Sequence, residues 1–174
     1  MQYVNKKQTI GNIIFLIYII LFCNSFCAAT NINITGDIAS APCTVSDETR
    51  ALTVNLGKMT REEINRAGGG DWTPFKLTLS HCPVSMSNVI VTFSGDTEAG
   101  DNKHFRNDGD ASGVALEIAD VTHNVIYGNT DSATTAIDAS QNAQFSLSAR
   151  AISPQKNATA GSFNSVVLIT FNYE

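Results

Sequence analysis

Phe163-Asn164-Ser165-Val166-Val167-Leu168-Ile169-Thr170-Phe171-Asn172-Tyr173-Glu174 is the stretch on which the fold of this chain turns. Side chains alternate across an extended strand, so Phe163, Ser165, Val167, Ile169, Phe171 and Tyr173 share one face. Val166 and Leu168 add apolar groups to the opposite face, which predicts a strand buried on both sides near its middle, as a central strand is. The same period of two recurs upstream at Phe145 to Ala149, Val125 to Tyr127, Val114 to Ile118, Val89 to Phe93, Phe75 to Leu79 and Leu52 to Leu56. It first occurs at Ile32, Ile34, Gly36 and Ile38. Turn-forming stretches separate the runs, at Gly68 to Asp71, Gly95 to Asn102 and Asn107 to Gly113. One segment departs from this pattern: Met59 to Ala67 predicts a short helix, with Thr60 as N-cap and Glu63 completing a capping box. Many short strands between glycine and Asx turns predict an all-β Greek-key sandwich.

Residues 1–29 read as a secretory signal peptide and are set apart from the fold. Lys6 and Lys7 supply the basic start, Ile13 to Phe22 the apolar run, and Cys27, Ala28 and Ala29 the small residues before cleavage. That run is about half the roughly 20 residues needed to span a bilayer. Its removal leaves about 145 residues, enough for one domain with a real core. It also removes two lysines and no acid, taking the formal charge from -5 to -7. Nucleic acid is excluded as a partner, because phosphate contacts need clustered Lys and Arg. Cys43 and Cys82 then remain as the mature cysteines of a chain bound for an oxidising compartment, and pairing between them is expected. A two-ligand metal site is the rival reading, and it lacks a nearby His or a second Cys pair.

No catalytic constellation emerges, so an enzyme is not expected, and no cofactor is implied. His81, His104 and His123 fall in separate runs and read as surface or turn residues. Asp108, Asp110, Ser112 and Gly113 resemble the opening of a calcium loop, but its twelfth position is Ala119 where a bidentate Glu is needed. Trp72, in the glycine-rich loop 68–74, could stack on a sugar, which keeps a monomeric carbohydrate-binding sandwich as the alternative function.

A set of motifs in order gives a sharper reading. An alternating N-terminal segment contains Gly36; Ala41-Pro42-Cys43-Thr44-Val45 and Val54-Asn55-Leu56-Gly57 follow. Then come Phe75-Lys76-Leu77-Thr78-Leu79 leading into Cys82-Pro83, Val91 to Gly95, Ala149-Arg150-Ala151, Gly161 and the penultimate Tyr173. In order and spacing this set resembles the pilins of the chaperone-usher fimbrial family, most of all the small minor subunits of type 1 fimbriae that link a tip adhesin to the shaft.

The resemblance implies an immunoglobulin-like sandwich missing its seventh strand, with residues 30–41 as an N-terminal donor-strand extension and 42–174 as the pilin domain. Ile32, Ile34, Gly36 and Ile38 would form the donor strand, which fills the groove of a neighbouring pilin subunit. On periodicity alone, the same residues also fit an ordinary first strand in their own sheet. Gly161, Phe163, Val167, Ile169, Phe171 and Tyr173 would form the groove wall and the pattern that a periplasmic chaperone recognises, although plain core packing is open to them too. The implied partners are neighbouring subunits, the chaperone, an outer-membrane usher and a tip adhesin. The implied role is a structural subunit supporting cell adhesion, in an adaptor or shaft position, exported through the periplasm to the fimbrium at the cell surface. No room for a separate adhesin domain is expected ahead of the pilin domain.

Overall fold

A computed structural model describes residues 42–174. The expected signal peptide and the expected donor residues Ile32, Ile34, Gly36 and Ile38 lie outside the described residues. The described chain is a two-sheet antiparallel sandwich. Its strands are β1 (Thr44–Val45), β2 (Thr73–Ser80), β3 (Asn88–Ser94), β4 (Thr97–Glu98), β5 (Asp101–Arg106), β6 (Ala115–Asp120), β7 (Ser132–Ala136), β8 (Ala143–Ile152) and β9 (Leu168–Tyr173). One sheet runs in the order β1-β2-β8-β6-β5-β4 and the other β7-β3-β9.

Alternation decides which side chains meet between the sheets. Leu77 and Leu79 of β2, Phe145 and Leu147 of β8, Leu116 and Ile118 of β6 and Phe105 of β5 face Val89, Val91 and Phe93 of β3 in one buried cluster. Tyr127 stacks on Phe93 with ring centroids 5.2 Å apart. Helix α1 (Asp47–Arg50) follows β1, and α2 (Arg61–Ala67) precedes β2. The capping box of α2 is formed: Thr60 Oγ1 accepts from the Glu63 N–H at 3.2 Å, and Glu63 Oε2 accepts from the Thr60 N–H at 3.0 Å. The helix stops at Gly68, whose φ of 87° is a left-handed conformation that glycine adopts without a Cβ penalty.

Four expectations are corrected. Leu52 to Leu56 keeps its alternation, with Val54 and Leu56 packed against the core, but joins no ladder among the described residues. A half-buried pattern places side chains, whereas a strand also needs a neighbour for its backbone. Val125 to Tyr127 contributes only an isolated bridge, Ala119 to Ile126. The last strand starts at Leu168 rather than Phe163, and Val166 and Leu168 are 68% and 66% exposed rather than buried. The outer face of its three-stranded antiparallel sheet is open to solvent, so only the inward face is covered. His104 is not a turn residue: it lies within β5 with its side chain 18% exposed.

Cys43 and Cys82 are disulfide-bonded, with Cα atoms 4.1 Å apart, beside the short β1–β2 ladder that pairs Thr44 with Ser80. The bridge joins positions 39 residues apart, a closure that in the chain-entropy account stabilises by about 4 kcal/mol. Thiol titration of the denatured, unreduced protein should therefore find no reactive cysteine among the mature residues. Cys43→Ser should lower the unfolding free energy, measured by denaturant titration, by an amount of that order; two reactive thiols in wild type would refute the bridge.

Candidate functional site

An apolar groove of about 1210 Å³ opens among the described residues. Leu52, Val54 and Leu56 form one wall, and Phe163, Val167, Ile169 and Phe171 the other. Leu77, Leu116, Ile118, Ala149 and Ala151 form its floor. Among the described residues, neither wall has a ladder partner on the edge that faces the groove. β9 pairs with β3 from Val89↔Tyr173 to Ser94↔Leu168, and no described strand pairs with its other edge.

At one end the groove runs into a smaller cluster of Ile64, Val114 and Ala158, with Met59, Ala111 and Phe163 against it, so Phe163 belongs to both apolar groups. Here the loop before β9 is locked to the loop after β5. Asn164 N–H donates to Asn107 Oδ1 at 2.8 Å, Asp108 N–H to the Asn164 carbonyl at 2.6 Å, and Ala111 N–H to the Ser162 carbonyl at 3.0 Å. A Cβ on Gly161 would lie 2.4 Å from the Ala111 nitrogen. Glycine is therefore required there by backbone approach, a reason separate from any recognition role.

Of the expected wall residues, Gly161, Phe163, Val167, Ile169 and Phe171 are brought together around the groove. Tyr173 shares their face but packs against the main core, next to the chain end, where the Glu174 carbonyl accepts from the N–H groups of Ser87 and Asn88. Burial pushes its phenol pKa up.

A second cluster, missed in the sequence, crosses the other sheet. His104 lies between Asp101, which its Nδ1 meets, and Glu117 Oε1, 3.1 Å from its Nε2; Arg150 Nε donates to Glu117 Oε2 at 2.6 Å. Arg150 also lies over Trp72, 4.3 Å from the ring centroid, and His123 stacks on the same ring at 4.3 Å and 3°. Two side chains of the chain itself thus already pack on the Trp72 ring, which is the packing role rather than a free platform for a sugar. The signal was hidden because Asp101, His104, Glu117 and Arg150 come from three strands, and only Asp101 and His104 are near each other in sequence. Among the described residues no cluster of His, Cys, Asp and Glu is arranged to hold a metal ion.

The family model described as fimbrial protein matches residues 32–174. The chain belongs to that family. Among curated proteins, this fimbrial protein is 33% identical to Protein FimG of Escherichia coli strain K12 over 147 residues, covering 84% of this chain and 86% of the relative. It is 33% identical to S-fimbrial adhesin protein SfaS of Escherichia coli O6:K15:H31 strain 536 over 146 residues, covering 83% and 85%. Among solved structures, the P pilus rod subunit PapA aligns with a TM-score of 0.66 at 16% identity, covering 77% of this chain and 100% of that one. The P pilus adaptor subunit PapF aligns with a TM-score of 0.53 at 13% identity, covering 79% and 100%. At such identities the structural likeness carries the fold, an immunoglobulin-like pilin sandwich. The family is one of structural subunits of surface pili, not of enzymes.

In this fimbrial subunit the Glu117 hydrogen bond raises the His104 pKa; burial opposes it and Asp101 adds to it. Burial pushes Glu117 up, but its bonds to His104 and Arg150 outweigh that and leave its pKa lowered. A raised histidine stabilises the fold fully below the unfolded value of 6.5, and that contribution is lost as pH climbs through the folded value. The lowered carboxylates act in the opposite sense and weaken only in acid. The destabilisation by His104→Gln, measured by urea unfolding, should accordingly be larger near pH 6 than near pH 9; an equal loss at both would refute the charged clasp. Gly161→Ala should cost about 1–3 kcal/mol in the same assay, because the Cβ meets backbone that cannot rotate away.

Proposed function

We infer that this fimbrial subunit assembles by donor-strand exchange. Its sandwich lacks a seventh strand, and the groove between 52–57 and β9 receives an extended strand from another molecule. One observation carries the reading: an apolar slot open between two walls whose backbones lack ladder partners among the described residues. A strand laid there would restore the missing hydrogen bonds and bury the inward set at once, the β-augmentation mode of recognition. A bare apolar edge of this kind also templates aggregation, which is the physical reason for a periplasmic chaperone to cover it before an outer-membrane usher passes the subunit on.

In this reading residues 1–29 are removed on export, residues 30–41 are the donor extension and 42–174 the pilin domain. Gly161, Phe163, Val167, Ile169, Phe171 and Tyr173 meet chaperone and donor in turn. Ile32, Ile34 and Ile38 enter the next subunit's groove, with Gly36 where backbone comes close. Burying three isoleucines stabilises the contact by roughly 5 to 9 kcal/mol before the ordering of the segment is deducted. The resemblance of the motif set to the minor subunits of type 1 fimbriae supports a minor, adaptor position beside a tip adhesin, and with it a supporting role in cell adhesion.

Deleting residues 30–38 should leave a subunit that still copurifies with its chaperone but cannot extend a polymer, read by electron microscopy and by laddering on unheated gels. Extension at the wild-type rate by the deleted subunit would overturn the donor assignment.

A further inference from the structure

Ser165 breaks the apolar row. Of the five inward positions from Phe163 to Phe171 it alone is polar, and it lines the groove between Phe163 and Val167. Its Oγ is buried and has no hydrogen-bond partner among the described residues. Native proteins rarely leave a buried hydroxyl in that state, because its lost hydration is not replaced. Nor can the segment slide to find a partner. Asn164 is tied to Asn107 and Asp108 on one side, and Leu168 begins the ladder with Ser94 on the other. Ser165 lines the groove, so an occupant of the groove is placed to supply the partner that the described residues do not.

We propose that Ser165 sets the register of the incoming strand by hydrogen-bonding its main chain at a glycine, the feature this chain's own extension carries as Gly36. The proposal rests on the donor-strand reading. The inward set of the extension, Ile32, Ile34, Gly36 and Ile38, has one member without a side chain, and the wall has one member with an unpartnered hydroxyl. Continuing the antiparallel order of β7-β3-β9, a strand with Gly36 opposite Ser165 sets Ile38 beside Phe163, Ile34 beside Val167 and Ile32 beside Ile169. All three isoleucines then meet apolar wall, and a glycine carbonyl can approach closely enough to accept from Ser165 Oγ. A slip of two residues puts Ile34 or Ile38 against the hydroxyl and holds the backbone away. A slip of one turns every isoleucine out of the groove. The occupant is thus an extended apolar strand with glycine at this step, as a second copy of the chain would supply.

The probe is a synthetic peptide of residues 30–42, fluorescently labelled and added in excess while the full chain refolds from denaturant. Dissociation is followed by polarisation. Ser165→Ala should bind the peptide roughly tenfold more weakly than wild type, the effect of one lost hydrogen bond. Without peptide it should unfold at an unchanged or higher denaturant midpoint, because an unpartnered group has been removed. A Gly36→Val peptide should lose affinity for the wild-type chain, an arm that needs no variant protein. An Ile38→Cys peptide should form a disulfide with Phe163→Cys and not with Val167→Cys. Equal binding by Ser165→Ala, or crosslinking at position 167 instead, would overturn the register role while leaving strand donation intact. No binding of the unaltered peptide would instead remove the donor-strand reading itself.

Discussion

Backbone hydrogen bonding along the last strand is the constraint on which this molecule depends. β9 is zipped to β3 over six residue pairs and, among the described residues, offers its other edge to nothing. The chain before it, from Ser162 to Asn164, is fastened to the 107–111 loop, so the wall is held in place rather than free to fold inward over the slot. That fastening holds the β9 wall in place although Phe163, Val167, Ile169 and Phe171 would each be better buried. An apolar surface that cannot close on itself is one that a separate strand can satisfy.

The rest of the sandwich supports that arrangement. The six-stranded sheet supplies the floor through Leu77, Leu116, Ile118 and Ala149, which also belong to the main core, so floor and core cannot be altered separately. Helix α2 closes one end of the groove by way of Ile64 and Phe163. On the far side of the larger sheet, the row Asp101, His104, Glu117, Arg150 and Trp72 ties β5, β6 and β8 together with charge and ring contacts in place of aliphatic packing.

Elements with strong local signals were legible in the residues. The alternation of Phe75 to Leu79 and Val89 to Phe93 marks β2 and β3, and Thr60 with Glu63 marks the start of α2. β5 and β7 were not legible. Asp101-Asn102-Lys103-His104-Phe105-Arg106 and Ser132-Ala133-Thr134-Thr135-Ala136 have the composition of turns and are strands only because neighbouring strands take up their backbone groups. Leu52 to Leu56 erred the other way: its pattern is that of a strand, but the described residues provide no neighbour. The exposure of Val166 and Leu168 was hidden for a related reason, since hydrophobicity does not tell which face of a sheet is covered. The groove itself was reached through family likeness, because an unfilled slot leaves no periodicity of its own. Ser165 was visible as the odd polar member of its row, yet only coordinates could tell that its hydroxyl stands alone.

The Cys43–Cys82 bridge has a mechanical consequence. Tension entering the domain from the N-terminal side of Cys43 passes through a covalent bond straight to the end of β2, and the 39-residue span between the cysteines is shielded from the load. Fully drawn out, that span would measure roughly 130 Å. With the bond intact this slack is locked away, so a pulled subunit can lengthen only by peeling β9 and the strands behind it; under reducing conditions the same pull would release the slack as extra reach.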